Sequence, residues 1–129
     1  MREPTAPVSP IEVVIPGRPD NVLNARRAWR VAARMKAARR EQVGWLARQA
    51  RGRRRPADGP RHATATLYLA GQLRDADNAT ASLAADVNGL RDSGVIRDDD
   101  PASLTLTVRQ ERVRHRAEER VVWRISADA

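Results

Sequence analysis

Seven of the sixteen acidic residues fall between Asp75 and Asp100, in a chain whose net charge is +8. A cationic chain that gathers its carboxylates in one stretch has a local use for them. Asp75 and Asp77 stand two apart, so their side chains point to one side wherever the backbone is extended. The acidic loop Asp98-Asp99-Asp100-Pro101 follows about twenty residues later. Brought beside Asp75, it would complete a hard, all-oxygen site suited to magnesium, with manganese as the alternative ion. The chemistry of such a site is phosphodiester hydrolysis, in which the metal polarises the phosphoryl oxygen and lowers the pKa of a bound water. The candidate ligands and catalytic groups are Asp75, Asp77 and Asp99, with Asp98 as the neighbouring choice. Two simpler roles compete: Asp77 or Asn78 as the N-cap of a following helix, and Asp98 to Pro101 as a solvated turn. Whether the two acidic segments meet depends on sheet pairing, which spacing alone leaves open.

The rest of the charge points to a polyanion. There are 24 Lys+Arg against 16 Asp+Glu, and Lys36 is the sole lysine. Releasing counterions from phosphates favours such a surface, and the arginine fork suits bidentate phosphate contact. A compositional bias towards arginine and alanine gives the same count without any ligand. The candidate DNA-contacting cations are Arg26, Arg27, Arg30, Arg34 and Lys36 in and before a long helix, Arg53, Arg54 and Arg55 in a loop, and Arg74. A basic RNA-binding or ribosome-associated protein would fit the charge but leaves the acidic stretch unexplained. His62 and His115 read as surface residues, and Trp29 and Trp45 as core or dimer packing rather than platforms for exposed bases.

These residues need elements to hold them, and 129 residues suffice for one domain, expected over 11–127 behind a flexible tail at 1–10. With no cysteine, thiolate chemistry and disulfides are excluded. No signal-peptide pattern or membrane-length apolar run is present, so the expectation is a cytoplasmic protein with no membrane partner and no small-molecule cofactor. Ile11 to Ile15 reads as a strand ended by Pro16-Gly17. Arg27 to Ala50 reads as an amphipathic helix, and Arg51 to Pro60 as a mobile basic loop. Ala63 to Leu73 alternates as a strand, Ala79 to Ser93 has helical spacing ending at Gly94, and Ser103 to Arg112 and Arg120 to Ser126 read as a hairpin. The fold class expected is α/β, a mixed sheet of about four strands in the order β-α-β-α-β-β with helices packed on it. The apolar set contains 22 alanines and only 31 larger side chains. A core that thin favours completion by a second copy, hence a homodimer.

Taken together, the segment Asp75, Asp77, Asn78 opening a helix after a strand, Gly94-Val95-Ile96-Arg97-Asp98-Asp99 beyond it, and Ile15-Pro16-Gly17-Arg18-Pro19 followed by Asn24 and a basic helix resemble the RusA-type Holliday junction resolvases. Segment order and length agree over nearly the whole chain. The resemblance implies a homodimeric, magnesium-dependent endonuclease of DNA recombination and repair that nicks four-way DNA junctions symmetrically, nucleoid-associated and phage or prophage encoded. By the same resemblance, Asp75, Asp77 and Asp99 or Asp98 hold metal, and Asn78 supports the first helical turn. The chain departs from the pattern where the family carries a lysine after Asp-x-Asp-Asn, since the matching positions are Ala81 and Ala84. Asn88 stands where a further family aspartate is expected, with Asp86 half a turn away. Arg91 or a cation from the first long helix could substitute. The alternative is a branched-DNA-binding protein of the same fold that has lost turnover.

Overall fold

The computed structural model describes residues 10–19 and 29–127, so most of the expected tail, together with Asn24, Arg26 and Arg27, lies outside the described residues. Within them the fold is mixed α/β, with β1 (Ile11–Pro16), α1 (Trp29–Arg51), β2 (Arg61–Ala70), α2 (Ala76–Ala81), α3 (Ala84–Asp92), β3 (Leu104–Val113) and β4 (Arg120–Ser126). Strict alternation makes the strands. Ala63, Ala65, Leu67 and Leu69 of β2 and Val121, Trp123 and Ile125 of β4 are buried on one face, joined by Val13 and Ile15 of β1. The intervening residues, such as Thr64, Thr66, Arg124 and Val14, stay partly or fully exposed on the other face. The helices therefore cover one side of the sheet.

The sheet order is β1-β4-β2-β3, which corrects the expected hairpin between the last two strands. β4 lies between β1 and β2, antiparallel to both, with Trp123 flanked by Val13 and Ala65. β3 instead pairs with β2 in parallel, Ala63 beside Leu106 and Leu67 beside Gln110. The physical reason lies in the two sequences. β4 offers three fully buried apolar side chains including Trp123, which are best enclosed by strands on both sides, whereas β3 ends in Arg109, Glu111 and Arg112, charges that suit an edge. A parallel β2–β3 pair also needs a long crossover, which α2 and α3 supply.

The helix expected over 79–93 is two helices, interrupted at Ser82 and Leu83, where the Ser82 hydroxyl donates to the Ala79 carbonyl at 2.8 Å. α1 touches the domain mainly through its second half, burying Val43 and Ala47. Trp29 and Trp45, expected in packing, are 75% and 62% exposed in the single chain; the indole that fills the core is Trp123. The basic loop after α1 is tethered rather than loose. Arg51 Nε donates to the Ser93 carbonyl at 2.9 Å, and the Ala57 amide donates to the Gly94 carbonyl at 2.8 Å. At the other end of the sheet, the Gly17 amide donates to the Glu119 carbonyl at 2.9 Å, while the Glu119 carboxylate accepts from Arg18 and from the Ala70 amide. The Arg18 guanidinium holds the Glu119 carboxyl below its ordinary range.

α1 and α3 cross with their backbones almost touching. A Cβ built on Gly89 would lie 2.7 Å from the Arg40 carbonyl oxygen and 2.8 Å from Val43 Cβ, whereas one on Gly44 has nothing nearer than 3.6 Å. Helix propensity alone favours alanine over glycine by about 1 kcal/mol. We therefore expect Gly89→Ala to lower stability by about 1–3 kcal/mol through overpacking, and Gly44→Ala to be neutral or stabilising, read from urea unfolding midpoints. Equal effects of the two substitutions would contradict the close crossing.

Candidate nucleic-acid and metal site

The chain leaves β2 at Ala70 and reaches Arg74, whose backbone is clamped from both sides by the side chain of Gln110 on β3. The Arg74 amide donates to Gln110 Oε1 at 2.9 Å, and Gln110 Nε2 donates to the Arg74 carbonyl at 2.7 Å. Arg74 Nη2 donates to the Pro19 carbonyl, which ties the segment after β1 to the same place. Arg74 is thus half-buried and positions the backbone ahead of Asp75, a different situation from the exposed cations named beside it.

Asp75 is the N-cap of α2. Its Oδ1 accepts from the Asn78 amide at 2.8 Å and its Oδ2 from Asn78 Nδ2 at 3.1 Å. The cap is therefore Asp75 itself, two residues earlier than the Asp77 expected from spacing. The Asn78 backbone bond is the main cause of an Asp75 pKa below the ordinary carboxylate range. Asp75 and Asp77 are both exposed, so their remaining lone pairs face solvent, while Asn78 is only 7% exposed. The sequence motif is thus a built unit, in which Asn78 orients Asp75 and α2 begins beneath it. Two exposed carboxylates are donors of the kind magnesium takes with its remaining positions filled by water and phosphate.

The second acidic segment lies elsewhere. The Asp99 amide donates to Asp98 Oδ1 at 2.8 Å, which with the nearby Arg91 guanidinium lowers the Asp98 pKa. Arg91 Nη1 approaches Asp98 and Asp99 at 3.8 and 3.6 Å. Asp99 borders a groove with Ala84, Asn88, Leu104 and Leu106, level with the start of β3. Asp75 sits level with Gln110, six residues further along, which at the rise of an extended strand is about 20 Å. Among the described residues, no three acidic or histidine side chains gather closely enough to hold a metal. One chain brings Asp75 and Asp77 to one end of β3, and Asp98 and Asp99 to the other.

The exposed cations are Arg30, Arg34 and Lys36 on α1 and Arg53, Arg54 and Arg55 in the tethered loop. Lys36 also borders a 490 Å³ cavity with Ala81, Ser82 and Ala84. The sole lysine, distant in sequence, therefore reaches the surface of the α2–α3 junction from the other helix. Asp86, half a turn from Asn88, points inward and is fully buried against Arg39 and Trp123. Gln110 and the placement of Lys36 escape a reading of the sequence, since neither carries a local pattern. Among the described residues no helix is long and apolar enough to cross a membrane.

Because the cap needs an acceptor at Asp75 but no charge, Asp75→Ser should retain the unfolding midpoint and Asp75→Ala should lower it, measured by thermal unfolding near neutral pH. Equal loss in both would mean that the carboxylate does more for the fold than cap α2. No protein-family model matches this chain, and no curated protein matches it.

Proposed function

We propose that this chain is a magnesium-dependent, structure-selective endonuclease of RusA type that acts on four-way DNA junctions. The observation that carries the proposal is the pair of exposed carboxylates, Asp75 and Asp77, built onto the start of α2 by Asn78 within a chain of net charge +8. Carboxylates facing DNA repel it unless a cation lies between them, so a basic protein that exposes this pair has a use for one. Asp75 and Asp77 would hold the ion and Asn78 would fix the Asp75 rotamer. When bound, magnesium would supply charge neutralisation at the scissile phosphate and a water of lowered pKa. Arg30, Arg34 and Arg53 to Arg55 would bind phosphates on the flanking arms and orient the strand.

The alanines at 81 and 84 favour a second reading, a junction-binding protein without turnover. Lys36 weighs against it, because it faces the same cavity as both alanines and can supply from α1 the cation that α2 and α3 lack. Arg39, on the same cavity, is committed to Asp86.

The test is a labelled mobile four-way junction incubated with the protein and magnesium and resolved on denaturing and native gels. Paired symmetric nicks should appear only with the metal, vanish in Asp77→Asn and slow about 10–100-fold in Lys36→Met, while the native-gel shift persists in all three proteins. A persistent shift with no nicks at any magnesium concentration would establish the binding-only reading. Unchanged cutting by Lys36→Met would remove the lysine from the account.

A further inference from the structure

β3 runs for ten residues with one side bonded to β2, and among the described residues no strand pairs with its other edge. Long open edges recruit strands. Its residues alternate, with Leu104, Leu106 and Val108 half-buried on the helix-covered face and Thr105 and Thr107 exposed on the other. This short stretch is self-complementary. In an antiparallel pair of two β3 strands related by a two-fold axis at Leu106, Leu104 lies opposite Val108, Thr105 opposite Thr107, and Leu106 opposite its own copy. The half-buried row becomes continuous across the axis and extends into the grooves lined by Ala76, Ala79 and Thr80 and by Ala84 and Val87.

The charges beyond the strand fit the same axis. Counting outward, Asp100 of one copy falls beside Arg112 of the other, and Asp98 beside Arg114. An axis at Gln110 would pair Arg109 with Glu111, but it sets Val108 against Arg112 and Leu106 against Arg114, and exposed ion pairs contribute too little to offset that.

We propose that two copies of this chain join through their β3 edges about Leu106, and that this seats the Asp98 to Asp100 loop of one copy beside Asp75 and Asp77 of the other. The same register places residue 102 of the partner opposite Gln110, the residue that clamps Arg74 next to Asp75. The separation of the two acidic segments within one chain is thereby removed, and each two-fold dimer contains two composite carboxylate sites. The nature of the site rests on the nuclease proposal; the interface does not.

The chain contains no cysteine, so engineered thiols report single contacts. Residues opposite each other in antiparallel strands have Cα atoms about 4.5–5.5 Å apart, within disulfide reach. Leu106→Cys should convert mostly to a disulfide dimer under mild oxidation, whereas Gln110→Cys should not. An equimolar mixture of the Thr105→Cys and Thr107→Cys chains, both at exposed positions, should give the same dimer if Leu106→Cys folds poorly. A short bismaleimide should join Asp77→Cys in one chain to Asp99→Cys in another. Failure of both the Leu106 and the Thr105–Thr107 cross-links overturns the interface. Strand cross-links without the aspartate-position cross-link overturn the composite site. Both cross-links in a protein that never nicks DNA would uphold the interface and defeat the nuclease proposal alone.

Discussion

Three elements meet at one buried carboxylate. Asp86 of α3 has no solvent exposure; it accepts two hydrogen bonds from Arg39 of α1, at 2.7 and 3.0 Å, and one from Trp123 Nε1 of β4 at 3.0 Å. A carboxylate taken out of water is stable only if its oxygens are occupied, and removing one partner of such a pair costs about 3–5 kcal/mol. The rest of the arrangement follows from satisfying it. α1 must lie close enough for Arg39 to reach, which the Gly89 contact permits, and β4 must be central so that Trp123 can fill the core while its indole N–H points at α3. With β4 enclosed, β3 becomes an edge strand.

That consequence connects architecture to chemistry. As an edge, β3 holds the two acidic segments at a fixed spacing, with Gln110 anchoring the turn before Asp75 at one end and Asp98 to Asp100 at the other. A hairpin of β3 with β4 would have closed the edge that now faces solvent. The site is divided within one chain because the sheet is ordered β1-β4-β2-β3, and a second copy across that edge is the arrangement that reunites it.

Much of this was legible in the residues. The alternation in β2 and β4, the β-branched run of β1 and the spacing in α1 identified the elements because each buries one face against a single neighbour layer. Asp75, Asp77 and Asn78 stood out because a carboxylate cluster in a cationic chain is locally anomalous. Strand order was not legible, since β3 and β4 both alternate and are close in sequence, and only the need to enclose Trp123 separates them. Asp86 looked like a displaced site residue because its partners, Arg39 and Trp123, lie 47 and 37 positions away. Trp29 and Trp45 misled for the opposite reason: aromatic side chains suggest burial, but the helix turns them outward.

The most direct test of a divided, dimer-completed nuclease site mixes two inactive chains. Asp75→Asn and Asp99→Asn proteins, each inert on a four-way junction with magnesium, should regain cutting when combined. In the mixed dimer one composite site keeps both native segments, so the junction should receive a single nick in one strand rather than a symmetric pair. A mixture that stays inert while the unaltered protein cuts would place all the carboxylates of each site on one chain and contradict the account.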